Sequence, residues 1–203
     1  MARAKPRGRA SAPGARANAY PGSIRIIGGQ WRSRRLPVPS AEGLRPTPDR
    51  VRETLFNWLA PHIAGASCLD LFSGTGALCL EALSRGAAQV VMVEQSAEVV
   101  RELRANIARL EARGAEVVPA DALEYLAGRP RAFDIVFLDP PFAVAEAMIR
   151  RCAERLARDW MKPGGLVYIE APRALKTLPL PSVWQIVKSG AAGQVSYSLV
   201  RAS

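Results

Sequence analysis

Histidine is almost missing from this chain: His62 is the single imidazole among 203 residues. That argues against a Ser-His-Asp machine and against a His-ligated metal site. Cysteine is scarce as well. Cys68, Cys79 and Cys152 are odd in number, scattered and without metal-ligand spacing. They read as reduced thiols in a cytoplasmic protein, with no metal. No run of about 18 apolar residues occurs, so no membrane span is expected. The basic N-terminus is not followed by the apolar core of a signal peptide. No internal repeat is seen. What is present is 49% hydrophobic residues, enough for one full-sized domain with a real core and short for two.

Acidic residues are nearly missing from the first quarter. Residues 1–50 hold eleven Lys/Arg against Glu42 and Asp49, a balance of +9 out of a chain total of +10. A basic N-terminal module on a nearly neutral body suggests a polyanion partner; a solubilising tail is the other reading. Residues 1–22, rich in Ala, Gly, Pro and Arg, read as a disordered basic tail. Residues 23–46 place Ile24, Ile26, Ile27, Trp31, Leu36 and Val38 between arginines. That segment is expected to fold and to present its arginines as a contact surface. Residues 47–203 are expected to form the main domain.

Thr47-Pro48 opens a helix, with Thr as N-cap and Pro at the first helical position. Val51, Leu55, Trp58 and Leu59 follow at helical spacing. Strands and helices then alternate. "SCLDLF", "QVVMVE", "EVVPA", "FDIVFL" and "GLVYIE" read as strands. Between them lie the helices "GALCLEALSRG", stopped by Gly86, "SAEVVRELRANIARLEARG", ended by Gly114, a turn through "DALEYL", and residues 143–160. "VWQIVKSG" and "QVSYSLV" read as a closing hairpin. The pattern predicts an α/β fold: a doubly wound, mostly parallel seven-stranded sheet with a C-terminal antiparallel hairpin and a small basic N-terminal extension. Ligands of such folds sit beyond the C-terminal strand ends. Asp70, Glu94, Asp121 and Asp139 all stand at or just past such ends.

Ser73-Gly74-Thr75-Gly76 joins the first strand of this series to its helix. Glycines there permit positive φ and close approach of a ligand, and a helix start adds N–H donors. A tight strand-helix turn is the plainer reading. A dinucleotide fingerprint wants a third Gly where Cys79 stands, and a phosphate-binding P-loop wants a Lys that is absent. Glu94, 24 positions after Asp70, can accept both hydroxyls of a ribose or cap the next helix. Asp121 can accept from an adenine amino group, cap a helix, or do both.

"FDIVFLDPPF" ends a buried strand with an acid, two prolines and an aromatic. The prolines remove two donors and stiffen the turn. The stretch is a strand stop with Phe142 plugging the core, or a rigid mount for chemistry. An exocyclic NH₂ of a base is a poor nucleophile, since its lone pair is delocalised into the ring. The Asp139 carboxylate and a carbonyl of the proline turn can accept its two hydrogens and aim the lone pair at a methyl group, largely an effect of orientation. Phe142 can stack on the base, worth about 1–3 kcal/mol.

Taken together, these residues resemble the class I S-adenosylmethionine-dependent methyltransferases of the [N/D]-P-P-[F/Y/W] kind, a Rossmann-like fold. "RIIGGQWRSRRLPVP", "GLRPTPDRVRETLFNWLAP", "CLDLFSGTGALCLEALSRGA" and "FLDPPF" are similar to the RsmD family of bacterial 16S rRNA (guanine-N2)-methyltransferases. The likeness runs from about Ser23 to Leu199. "SGTG" stands where many relatives read "AGSG".

The resemblance implies S-adenosyl-L-methionine as cofactor and 16S rRNA, in the small ribosomal subunit or an assembly intermediate, as partner of a monomeric cytoplasmic enzyme without metal. It implies cofactor contacts from Asp70, Phe72, Ser73, Gly74, Gly76, Glu94, Gln95, Asp121 and Ala122. It implies a catalytic loop of Asp139, Pro140, Pro141 and Phe142. It puts Arg25, Arg32, Arg34, Arg35, Arg45, Arg50 and Arg52 in blocks the family uses near RNA, with Trp31 and Trp58 as packing. Three other readings remain: a methyltransferase for DNA adenine or protein glutamine, a non-catalytic RNA-binding assembly factor, and an NAD oxidoreductase. The intact set of strand-end acids argues against the assembly factor, and Cys79 and the Pro-Pro loop have no role in an NAD oxidoreductase.

Overall fold

The structure is a computed structural model that describes residues 22–39 and 47–202. The readings made for the N-terminal tail and for Arg45 lie outside the described residues.

The chain enters as a short antiparallel hairpin, β1 (Gly22–Arg25) and β2 (Arg35–Val38). Helix α1 (Asp49–Leu59) follows, then β3 (Ser67–Asp70), α2 (Ala77–Ser84), β4 (Gln89–Glu94) and α3 (Ala97–Leu110). Next come β5 (Ala115–Pro119), the single turn α4 (Ala122–Tyr125), and β6 (Phe133–Leu138). A 3₁₀ turn at Phe142–Val144 leads into α5 (Ala145–Leu156), and β7 (Met161–Pro172), β8 (Gln185–Ala192) and β9 (Val195–Arg201) close the fold.

Strands β3 to β9 form one seven-stranded sheet in the order β5-β4-β3-β6-β7-β9-β8. Its pairings are parallel from β5 to β7 and antiparallel through β9 and β8. This is the doubly wound sheet read from the sequence. Both faces are covered, which is why the strands are apolar at consecutive positions. Cys68, Val90, Met92, Ile135, Phe137 and Tyr168 pack under α1, α2 and α3. Leu69, Val91, Val93, Val136, Leu138 and Ile169 pack under α4 and α5 with Trp160 and Trp184.

Connections run outward from β3 through β4 to β5 on one side and from β6 to β7 on the other. The direction of winding therefore switches between β3 and β6. In such sheets the switch point forms the ligand crevice at the C-terminal strand ends; here Asp70 ends β3 and Asp139 follows β6.

Several boundaries differ from the sequence reading. Helix α1 starts at Asp49 with Pro48 in the cap position and no side-chain cap. Thr47 instead sends its hydroxyl across to Glu170, 2.8 Å away. Helix α3 stops at Leu110, where Glu111 takes a left-handed φ of 51° and the Ala112 N–H closes back on the Ile107 carbonyl; Gly114 lies in the turn beyond. The helix expected over residues 143–160 is shorter, ending at Leu156.

The hairpin is clasped by two helices. Glu81 of α2, wholly buried, accepts from the backbone N–H groups of Ile27 at 2.7 Å and Gly28 at 2.8 Å. Ser84 accepts from the Trp31 N–H at 3.0 Å. Asn106 of α3 donates to the Pro37 carbonyl at 2.9 Å. Gly29 has φ of 75°, and a Cβ there would lie 1.7 Å from the Ser84 carbonyl oxygen. No residue but glycine fits so close to α2.

Candidate active site

The loop from β3 to α2 carries Ser73, Gly74, Thr75 and Gly76. Gly76 caps α2 in the left-handed region, φ 75°, and a Cβ there would press 2.6 Å from Leu103 of α3. Glycine thus lets the loop turn sharply beneath the neighbouring helix. Ser73 bridges the turn by donating its hydroxyl to the Asp70 carbonyl at 3.1 Å.

Glu94, half-buried at the end of β4, joins two turns. One oxygen accepts from the Gly74 N–H at 3.0 Å, the other from the Ser96 N–H at 2.8 Å. Asp121 caps α4, its Oδ1 accepting from Leu123 at 2.7 Å and Glu124 at 3.3 Å. Both acids keep lone pairs for a ligand. Ala122 is buried behind Asp121, Phe72 is half-buried, and Gln95 is exposed. The structure thus brings the loop, Glu94 and Asp121 to one edge of the sheet, in strand order.

Asp70 is fully inside. It accepts from the Phe72 N–H at 3.1 Å. Burial pushes its carboxyl up to about 7, against the Phe72 hydrogen bond, and the charges of Glu94 and Glu170 add to the rise.

Across the switch point, Asp139 follows β6. Burial, with the neighbouring charges of Glu170 and Asp70, holds its carboxyl well above the usual carboxylate range. Pro140 is buried, while Pro141 and Phe142 are exposed. Phe142 is 46% exposed and does not plug the core. Its ring stands with Val144, Arg150, Pro172 and Leu175 around an open hollow of about 570 Å³.

Glu170 is absent from the residues singled out in the sequence, yet it completes this wall. It lies on β7, is 4% exposed, and its Oε1 accepts from the hydroxyls of Thr47 at 2.8 Å and Tyr168 at 2.9 Å. The pairing Leu138↔Ile169 sets Glu170 beside Asp139 on the neighbouring strand. Burial raises its carboxyl too, opposed by the two hydroxyls. The signal was in the sequence: "GLVYIE" delivers an acid on the fifth parallel strand just as its neighbours do.

Of the arginines, Arg25, Arg32, Arg34, Arg35 and Arg50 are exposed. Arg25 is paired with Asp49 at 2.8 Å. Arg52 is the correction. It is 1% exposed and cannot face a polyanion. Its guanidinium donates to the Arg25 carbonyl at 2.8 Å and to Asp49 at 2.7 Å, and lies 3.7 Å from buried Glu81. Trp31 packs against the core, and Trp58 lies 5.6 Å from the Tyr197 ring.

Among the described residues no group of His, Cys, Asp and Glu could hold a metal ion, and no helix is long and apolar enough to cross a membrane.

Comparison with known proteins matches this geometry to a family. The model of conserved hypothetical protein 95 matches residues 24–201. Ribosomal RNA small subunit methyltransferase D of Escherichia coli (strain K12) is 47% identical over 180 residues, covering 88% of this chain and 89% of that one. Its namesake in Haemophilus influenzae is 45% identical over 185 residues, covering 88% and 93%. The solved structure of yhhF from Escherichia coli superposes with a TM-score of 0.84 at 44% identity, covering 90% of this chain and 99% of that one. An RNA methyltransferase from Salinibacter ruber, solved with S-adenosyl-L-homocysteine, shares the fold at a TM-score of 0.60 and 19% identity, covering 78% and 94%.

Proposed function

The chain belongs to the RsmD family, that of conserved hypothetical protein 95, and we propose from this premise that it methylates the exocyclic N2 of a guanine in small-subunit ribosomal RNA, using S-adenosyl-L-methionine. One observation carries the reading. The rigid Asp139-Pro140-Pro141-Phe142 turn stands at the switch point of the sheet, across the crevice from a glycine loop flanked by Glu94 and Asp121.

The residues present fit the cofactor. When bound, S-adenosyl-L-methionine supplies an electrophilic methyl group. The Ser73–Gly76 turn offers it close backbone approach. Glu94 has lone pairs left for ribose hydroxyls, and Asp121 for the adenine amino group. Asp70 supports the loop through the Phe72 N–H. Phe72, Gln95 and Ala122 line the same edge.

The target base must first leave its stack, which costs a few kcal/mol. Phe142, exposed at the rim, provides a face for it. Asp139 and a carbonyl of the proline turn accept the two amino hydrogens, so the N2 lone pair points out of the ring system. Transfer to N2 of the methyl group that S-adenosyl-L-methionine would supply would form the C–N bond and break the methyl–sulfur bond, leaving the electron pair on sulfur. The nitrogen then carries a positive charge and gives up one proton. Asp139, whose carboxyl is pushed upward by burial, is suited to take that proton.

In the same reading, Arg32, Arg34, Arg35 and Arg50 contact RNA phosphates, with Arg25 at the margin and Arg45 in the intervening block. Residues 23–46 serve as the RNA-contacting segment, residues 47–203 as the methyltransferase domain, and residues 1–22 as a basic tail. The enzyme works in the cytoplasm as a monomer on a small subunit or an assembly intermediate.

The test is direct. Incubate the protein and labelled S-adenosyl-L-methionine with unmodified small subunits, naked small-subunit rRNA, DNA and protein, then map the methylated atom. Label at guanine N2 of the rRNA is expected; label only on DNA or protein overturns the reading.

A further inference from the structure

Asp139 has a buried acidic neighbour whose purpose the methyl-transfer scheme leaves open. In the sheet, Asp70, Phe137 and Tyr168 form one row across β3, β6 and β7. Tyr168 and Phe137 face α1, among the residues packed beneath it. Glu170 is two residues beyond Tyr168 on the same strand, so strand alternation puts it on the same face. The bonds from Tyr168 and Thr47 to its Oε1 agree with that placement.

Both hydroxyls converge on the one oxygen. Among the described residues Oε2 takes no hydrogen bond. Holding a second carboxyl beside Asp139 in a buried place is costly unless donors arrive. Neither Thr47 nor Tyr168 donates to Asp139, so among the described residues a base entering the crevice meets Asp139 with no bond taken and Glu170 with Oε2 still open.

The Watson–Crick edge of guanine offers adjacent donors of matching number: the N2 amino group and the ring N1–H. With N2 held at Asp139, the N1–H falls on the neighbouring side of the edge. We infer that Glu170 is the specificity residue that accepts the guanine N1–H, with Thr47 and Tyr168 locking its carboxylate in place. The inference rests on the guanine-N2 reading above and names how that base is chosen. Adenine has no hydrogen on N1 and no 2-amino group. A base that keeps the 2-amino group but lacks the N1–H tests the contribution of Glu170, with the change in preference on mutating Glu170 separating it from any effect at the 6-position.

2,6-Diaminopurine is such a base. Its N1 is an acceptor and would face the Glu170 carboxylate without a donor. A site built to bond an N–H rejects the analogue lacking it by roughly 10⁴-fold. Small subunits would be reconstituted with rRNA carrying either guanine or 2,6-diaminopurine at the mapped position. The wild-type enzyme should prefer guanine in kcat/KM by roughly that factor. Glu170→Gln should lower kcat/KM on guanine by about 10- to 100-fold. Its amide can donate to the diaminopurine N1, so the diaminopurine-to-guanine ratio should rise by about 100-fold. Affinity for S-adenosyl-L-methionine, by calorimetry, should stay within a few-fold. A merely structural role for Glu170 would lower both substrates alike and leave the ratio unchanged.

Equal wild-type activity on the two subunits would overturn the inference without any variant being made, while leaving rRNA methylation intact. An unchanged ratio in a folded Glu170→Gln protein would overturn it too. No wild-type transfer to guanine-bearing subunits would instead overturn the guanine reading, and this inference with it.

Discussion

At the β3–β4–β5 end of the sheet, Glu94 and Asp121 receive their hydrogen bonds from backbone N–H groups. At the β6–β7 end, Glu170 receives both of its bonds from side-chain hydroxyls, and Asp139 receives none among the described residues. The first pair is placed by the turns that carry it, and stays in position whatever occupies the crevice. The second pair is placed by strand ends and by a helix-leading segment from far away in the chain. The Asp139 carboxyl and the Glu170 Oε2 are left for what enters. A cofactor held by many small contacts suits the first arrangement. A flat base with a few donors suits the second.

The difference can be broken from either end. If Asp139 is the acceptor nearest the reacting nitrogen, as proposed, Asp139→Ala should lower methyl transfer in single turnover by about 10² to 10⁴-fold. Affinity for S-adenosyl-L-methionine should change little; normal transfer by this variant would remove Asp139 from the mechanism. Glu94→Ala should do the reverse, weakening cofactor affinity by about 10- to 100-fold in calorimetry. Unchanged affinity would mean that Glu94 only ties Gly74 to Ser96.

Asp70 sits between the two ends and sharpens the comparison through pH. Its folded carboxyl titrates at about 7, above the 3.8 of a free one. The native state then binds more protons than the unfolded state across that window. Stability is highest below about pH 4 as far as this group is concerned, and declines as pH rises toward 7. Asp70→Asn cannot ionise. Melting curves should show the variant gaining a few degrees on the wild type between pH 5 and pH 8. A constant difference across that range would mean the Asp70 carboxyl is not held high.

The smallest effect concerns the basic rim. Replacing Arg34 and Arg35 with Ala should flatten the slope of log K for RNA against log salt by about 0.7 to 0.9 per arginine. An unaltered slope would make them a solvated face.

How legible each region was follows the same division. The parallel core was plain, because its strands are buried on both faces: "QVVMVE" is Gln89–Glu94 as read. The acids held by turns were plain too, since strand-end carboxylates follow chain order. Glu170 was less plain although "GLVYIE" ends in an acid, because β7 runs on through it to Pro172, paired with β9, so the acid sits within a strand. Thr47 looked like a helix cap because Thr-Pro satisfies local rules; a partner 123 positions away won instead. The β1–β2 hairpin has four-residue strands rich in arginine, and its anchors are Glu81, Ser84 and Asn106 on other elements. Arg52 was misplaced by the basic stretch around it, although its spacing to Leu55, Phe56 and Leu59 is that of the buried face of α1.

The contact of Gly29 with Ser84 has a mechanical consequence. It leaves no slack between the basic hairpin and the helix that begins at the glycine loop, so the two behave as the jaws of a caliper. On the proposed contact surface, a phosphate backbone lying along Arg32, Arg34 and Arg35 is held at a set span from Asp139. On that proposal the span would be set by α2 and not by the pliability of the RNA, and a nucleotide would have to be thrown out by that reach to be modified.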